Sequence, residues 1–400
     1  MTWRFGTITS IVALALTGCA ASDVAPEITK TPTYPDQASL YVDLDNPMRP
    51  DEFQGATILD VDRYRPYYRL TGCPTEETAR GVASPELQEA IEQAQTYSDE
   101  ASGTGLVVML NGEVLHESYS QGATNTSIAA SASQMKSVLA LLYGIAIEQG
   151  HIGSIDDPVG DYLEAWSGEK RGAITLRQLL TMSAGLGPAD FVQLIFAPDI
   201  AEVALQVPYV GAPDKEFVYS NANSKLLAIV LDQQVQKGGY ASLAQFLQAE
   251  LWCPIGAHDA QVWIDPAGKS RGYAGLQARL SDWAKVGEMI RNGGVANGKQ
   301  IVPSAWIEEM AKPSLANAQY GLHVWLGKEW TAQRQYSAAN PIKILHSEPF
   351  EAKDIVYFDG FGGQRVYVIP SKGLTVARAG VVNLQFDDSI IPNLLVRAMD

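Results

Sequence analysis

The chain has 400 residues, a formal net charge of -16 and 46% apolar residues, enough for one large domain or two ordinary ones. An acidic balance without clustered Lys and Arg excludes a nucleic-acid partner, because phosphate binding needs such clusters. Net charge says little about a small-molecule site.

The first residues have the form of a targeting segment. Arg4 precedes an apolar run over residues 5–16 that is too short to span a bilayer. The run ends in Leu16-Thr17-Gly18-Cys19, which resembles a bacterial lipobox. That implies a lipoprotein signal peptide over 1–18, a lipid anchor at Cys19 and a place in the bacterial cell envelope. Ala20 after the cysteine implies the outer membrane, facing the periplasm. An ordinary cleaved signal with an incidental Cys19 is the alternative. Residues 19–80, rich in Pro, Asp and Tyr, read as a tether and N-terminal extension. Its Arg63-Tyr64-Arg65-Pro66-Tyr67-Tyr68-Arg69 stretch is expected on the domain surface, rings over apolar area and arginines in water. Cys73 and Cys253 are the other two cysteines. An oxidising compartment would let them pair, but spacing leaves the bond open.

A folded domain is expected over 81–400. Ser84 fits an N-cap and Pro85 the first turn of a helix running to about Tyr97. Asn111-Gly112 joins apolar runs over 105–110 and 113–116, a strong hairpin signal. A helix is predicted from about Ser133 to Gln149, with Gly150 ending it. Its run from Ser137 to Ile147 has no charge, and a helix apolar all round is a buried one. Thr175 caps a short helix over 176–180. Further helices are predicted over 223–237, 243–252 and 279–291, the last capped by Ser281. Strands are expected over 354–358, 364–369 and 374–380, and a closing helix over 387–399. Sheet at both ends with a helical middle reads as α+β with an inserted, mostly helical lobe. The site should lie where lobe and sheet meet.

Lys136 is the only charged residue between Glu117 and Glu148, and it lies three positions after Ser133. Positions i and i+3 share a helix face, so the hydroxyl and amine are expected at one spot. A desolvated lysine loses basicity and can take the serine's proton. Ser133 also lies near a helix N-terminus, which favours an oxyanion. The alternative is a capping serine with a snorkelling lysine. Ser167-Gly168-Glu169-Lys170 repeats the spacing in a charged stretch and reads as surface. Tyr219-Ser220-Asn221 offers a phenol beside the lysine, or else a core aromatic before a helix cap.

Together these phrases resemble the serine β-lactamase/DD-peptidase-like superfamily, in the class C-like branch of 6-aminohexanoate-dimer hydrolase and related esterases. The resemblance runs from about Gly105 to Gly380. It rests on Ser131-Ala132-Ser133-Gln134-Met135-Lys136, Ile155-Asp156-Asp157-Pro158-Val159, the Leu179-Leu180-Thr181-Met182-Ser183-Ala184-Gly185-Leu186 loop, Tyr219-Ser220-Asn221 and Gly275-Leu276-Gln277-Ala278-Arg279.

The resemblance implies an antiparallel sheet flanked by helices, and an amide or ester as small-molecule substrate. It makes Ser133 the nucleophile, Lys136 and Tyr219 the shared base and acid, and Asn221 a positioning residue. The third box departs from the pattern. Phe358-Asp359-Gly360-Phe361-Gly362-Gly363-Gln364 keeps the glycine at Gly360 but lacks the basic residue. The Phe361 N–H is expected to complete an oxyanion hole. The missing cation weakens the alternatives of a β-lactamase or a peptidoglycan-directed peptidase. A non-catalytic scaffold lipoprotein is the remaining alternative. No His-Glu-x-x-His or Cys-x-x-Cys occurs, so no metal or cofactor is expected. The five histidines are expected to be structural or exposed.

Overall fold

The computed structural model describes residues 37–54, 57–75, 77–337, 340 and 342–399. The signal segment, Cys19 and the first part of the tether lie outside them.

Six antiparallel strands form the main sheet, in the spatial order Trp325–Leu326, Val356–Gly360, Gln364–Ile369, Leu374–Gly380, Gly103–Leu110 and Glu113–Tyr119. Side chains alternate along each strand. Val107, Met109, Val366, Val368 and Ala377 join the core shared with the lobe. Leu106, Val108, Tyr367, Ile369 and Val376 face the opposite way, beneath the helices Pro85–Glu100 and Ile390–Arg397. The helix Leu280–Arg291 covers the first face. It approaches closely because Gly287 has no side chain: a Cβ there would lie 2.7 Å from Val366 and Thr375 side-chain carbons. Asn111 and Gly112 take φ of 50° and 88°, as the tight hairpin between Gly103–Leu110 and Glu113–Tyr119 requires.

The predicted buried helix is Met135–Glu148, fully inaccessible at Val138, Leu139, Leu141 and Leu142. Ser133 precedes it in the 3-10 turn Ala132–Gln134. Asn221–Lys237 and Leu243–Leu247 pack beside it, the latter continuing as a π-helical turn over Gln248–Trp252. Thr175 forms the expected cap, reinforced by Gln178 reaching back to it. Ser281 is not a cap: the helix starts at Leu280 with Arg279 before it. Arg279 still pairs with Ile128 as the last residue of a strand, which forces the turn earlier. The closing helix is shorter than expected, Ile390–Arg397.

A second sheet runs Tyr41–Val42, Tyr67–Leu70, Ala260–Trp263, Leu276–Arg279, Ile128–Ala130. Two of its strands come from the N-terminal extension, which is thus woven into the lobe. Tyr68 and Leu70 are buried. Arg65 does not reach out into water as expected; it pairs with Glu52 at 2.7 Å. Just beyond, Cys73 and Cys253 are disulfide-bonded, with Cα atoms 4.8 Å apart, which answers the question their spacing left open.

Candidate active site

Three chain segments converge at the seam between lobe and main sheet. The 3-10 turn Ala132–Gln134 supplies Ser133 and the first turn of the following helix supplies Lys136. The loop over 217–220 supplies Tyr219, and the helix after it begins at Asn221. The strand Val356–Gly360 brings Gly360 against the turn that carries Ser133, where a Cβ would stand 2.4 Å from the Ser131 carbonyl oxygen. Only glycine tolerates that approach. Ala132, ahead of Ser133, has φ of 48°, a left-handed conformation that costs a non-glycine residue roughly 1–2 kcal/mol. Strain of this kind persists where the surroundings over-determine the backbone.

Lys136 Nζ donates to Ser133 Oγ at 2.9 Å, to Asn221 Oδ1 at 2.8 Å and to the Tyr273 carbonyl at 3.0 Å. It lies 4.8 Å from the centre of the Tyr219 ring. Lys136 is 1% exposed, while Ser133, Tyr219 and Asn221 are half-buried. The amine is therefore withdrawn from solvent, while the residues around it are partly accessible. Burial pulls the Lys136 pKa down to about 7, with Asp359 opposing. The other buried lysine of the lobe, Lys225, has an aspartate 3.2 Å away. Lys136 has no such ion pair among the described residues. Burial and the charge of Asp359 push the Tyr219 phenol far above its usual value, against the lowering effect of the Ser133 side chain. The two groups are thus driven apart: an amine that is readily neutral and a phenol that keeps its proton.

The Tyr219 loop is held from two sides. Its N–H donates to the Tyr336 carbonyl at 2.9 Å, and Val218 N–H donates to the Met182 carbonyl at 2.9 Å. Met182 lies in the Thr181-Met182-Ser183 turn, with φ of 58°, so that loop serves as a cradle for the tyrosine. The Tyr219 ring lies 4.9 Å from that of Tyr336 and 6.0 Å from that of Trp325.

The family model described as Beta-lactamase matches residues 87–387. The chain belongs to the beta-lactamase family. The 6-aminohexanoate-dimer hydrolase of Paenarthrobacter ureafaciens is 25% identical over 245 residues, 56% of this chain and 59% of that relative. The alignment thus spans less than two thirds of that protein's length. A candidate 6-aminohexanoate-dimer hydrolase from Bacillus anthracis superposes with a TM-score of 0.71 at 18% identity, covering 92% of this chain and 98% of the other. A family VIII carboxylesterase superposes at 0.59 with 16% identity, over 80% of this chain and 99% of the other. These two likenesses concern the fold.

Ser133, Lys136, Tyr219, Asn221 and Gly360 thus come together at one place in the molecule. Phe361 follows Gly360 at the tip of the hairpin and is exposed. The second Ser-x-x-Lys copy, Ser167 and Lys170, is exposed. His323 is structural: it is buried, its Nε2 lies 3.0 Å from Ser224 Oγ and its Nδ1 2.7 Å from the Leu180 carbonyl oxygen.

Sequence reasoning missed the charge network behind the third box. Arg334 and Arg365 clamp Asp359 at 2.8 and 2.7 Å and Asp388 at 2.8 and 2.6 Å. Tyr336 OH donates to Asp359 at 2.9 Å. Burial alone would raise the Asp359 pKa, but the two guanidinium groups outweigh it and hold the carboxylate below its usual range. A signal existed: Asp359 and Arg365 interrupt otherwise apolar strands, and a charge there must be paired if buried. The Tyr273 carbonyl, as a backbone group, left no mark in the sequence.

Proposed function

We propose that this protein is a serine hydrolase that cleaves an amide or ester through a Ser133 acyl-enzyme. The observation that carries the reading is the 2.9 Å contact between a fully buried lysine amine and the Ser133 hydroxyl. Ser133 Oγ attacks the substrate carbonyl carbon, and its proton passes to neutral Lys136. Tyr219 keeps its proton and donates to the leaving nitrogen or oxygen as the carbonyl reforms. Lys136 can then resupply the phenol. A water hydrolyses the acyl ester and returns the proton to Ser133. Asn221 orients Lys136, and the N–H groups of Ser133 and Phe361 stabilise the oxyanion. No step needs a metal or cofactor.

The reading extends to the whole chain: a signal over 1–18, a lipid on Cys19, an extension over 19–80 and a hydrolase domain over 81–400, in the outer membrane facing the periplasm. Leu16-Thr17-Gly18-Cys19 supports it. Metabolic labelling with a fatty acid, lost in Cys19→Ser, is the corresponding test.

The test of the chemistry is covalent labelling by a fluorophosphonate together with turnover of p-nitrophenyl esters. Both are expected in the native protein and absent in Ser133→Ala. A folded native protein that neither labels nor turns over esters would favour a scaffold role. Efficient nitrocefin hydrolysis would favour a β-lactamase.

A further inference from the structure

Three large apolar side chains stand in solvent at one end of the main sheet. Phe361, Val382 and Leu384 are 39%, 47% and 43% exposed. Phe361 lies at the tip between strands Val356–Gly360 and Gln364–Ile369. Val382 and Leu384 lie in the segment that leaves the neighbouring strand Leu374–Gly380 at the same end. The two loops are joined. Asn383 N–H donates to the Gly362 carbonyl at 3.3 Å, and Val382 Cα stands 2.6 Å from where a Gly362 Cβ would be. This is also the end that meets the nucleophile turn, through Gly360 and the Ser131 carbonyl.

The charges behind these loops are spent. Arg365 donates to the Gly360 carbonyl at 2.9 Å and pairs with Asp359 and Asp388. Arg378 donates to the carbonyls of Gly363 at 2.6 Å and Ala101 at 2.7 Å. Both arginines are 1% exposed, so neither guanidinium is offered to a ligand. Exposed apolar side chains on joined loops, next to the turn that carries Ser133, fit an apolar part of a substrate.

We propose that Phe361, Val382 and Leu384 form a wall that receives an uncharged hydrocarbon arm of the substrate, so that the enzyme selects neutral apolar esters or amides over chains ending in a carboxylate. The inference rests on the acyl-enzyme reading above and names its substrate class. It separates this chain from any family member that anchors a substrate carboxylate at the third box.

The experiment measures kcat/KM for p-nitrophenyl acetate, butyrate, valerate and octanoate, and for the mono-p-nitrophenyl ester of glutaric acid, which matches the valerate in length but ends in a carboxylate. In the native protein kcat/KM should rise along the neutral series by up to about fourfold per methylene laid on the wall. The glutarate should fall at least about tenfold below the valerate, since a carboxylate on apolar surface loses hydration without a partner. Val382→Ser with Leu384→Ser should flatten the rise, each rate being taken relative to acetate, because a two-carbon acyl group is too short to gain from the wall. Acetate turnover with a flat series in the native protein overturns the inference, and so does an unchanged rise in the double variant. A glutarate used as well as the valerate also overturns it. A protein that turns over none of these esters overturns the acyl-enzyme reading itself, a result distinct from the other three.

Discussion

Lys136 Nζ lies 2.9 Å from Ser133 Oγ in a setting that gives the ammonium no carboxylate partner among the described residues. Three neutral acceptors surround the amine, but burial outweighs them and lowers its pKa to about 7.

As the proposed base, Lys136 must be neutral to accept a proton. Activity should therefore fall as pH drops below about 7, where Lys136 becomes protonated. Tyr219 is shifted the other way, so no loss from its ionisation is expected on the basic side up to pH about 10, the usual phenol value. A kcat/KM profile that rises through pH 7 to a plateau is the expected outcome. A symmetric bell centred near pH 7 would assign the chemistry to other groups.

Lys136→Ala and Tyr219→Phe should each slow acylation about a hundredfold or more, the scale of lost acid–base catalysis. The rate of fluorophosphonate labelling reads this directly, with circular dichroism as a check on the fold. Near-native labelling in either variant removes that residue from the proton path.

Asp359→Asn should weaken the fold and move the pH profile. It leaves Arg334 and Arg365 partly uncompensated, and breaking a buried pair costs about 3–5 kcal/mol. Asp359 also raises the Lys136 pKa, so its neutralisation should carry the acidic limb below pH 7. Urea unfolding and the kcat/KM profile measure the two effects. A limb that stays put, or moves up, would separate Asp359 from the lysine.

Gly360→Ala should cost far more rate than stability. The added Cβ would start 2.4 Å from the Ser131 carbonyl oxygen and displace the nucleophile turn, and a displacement of about 1 Å can cost on the order of a hundredfold in rate. Steady-state kinetics beside a melting curve test the split. Native kcat/KM in this variant would show the contact to be slack.

Cys253→Ser should lower stability by about 2–5 kcal/mol, since the bond closes a long loop. Equilibrium unfolding of the native and variant proteins checks this, and native stability in the variant would contradict it.

Much of this was legible from local pattern. The uncharged run after Lys136 announced the buried helix, Asn111-Gly112 the hairpin, and Ser84-Pro85 the helix start, because each is fixed by groups a few residues apart. The main-sheet strands near the C-terminus were placed to within two residues. What stayed hidden was non-local. Nothing around Tyr67–Leu70 names Ala260–Trp263 as its partner, and nothing around Arg334 names Asp359 or Asp388. Ser281 was misread as a cap because strand pairing at Arg279, a long-range contact, set the helix start. At the site, Ser133 and Lys136 were readable from their spacing and context, whereas Tyr336 and the Tyr273 carbonyl act on the same spot across more than a hundred residues.

The family match begins at residue 87, yet Tyr67–Leu70 is hydrogen-bonded along Ala260–Trp263. A chain cut back to the match would strip that partner away, leave a bare strand edge open to intermolecular pairing, and leave Cys253 as a lone thiol. Poor solubility of such a shortened protein would reflect a torn sheet rather than a weak hydrolase domain.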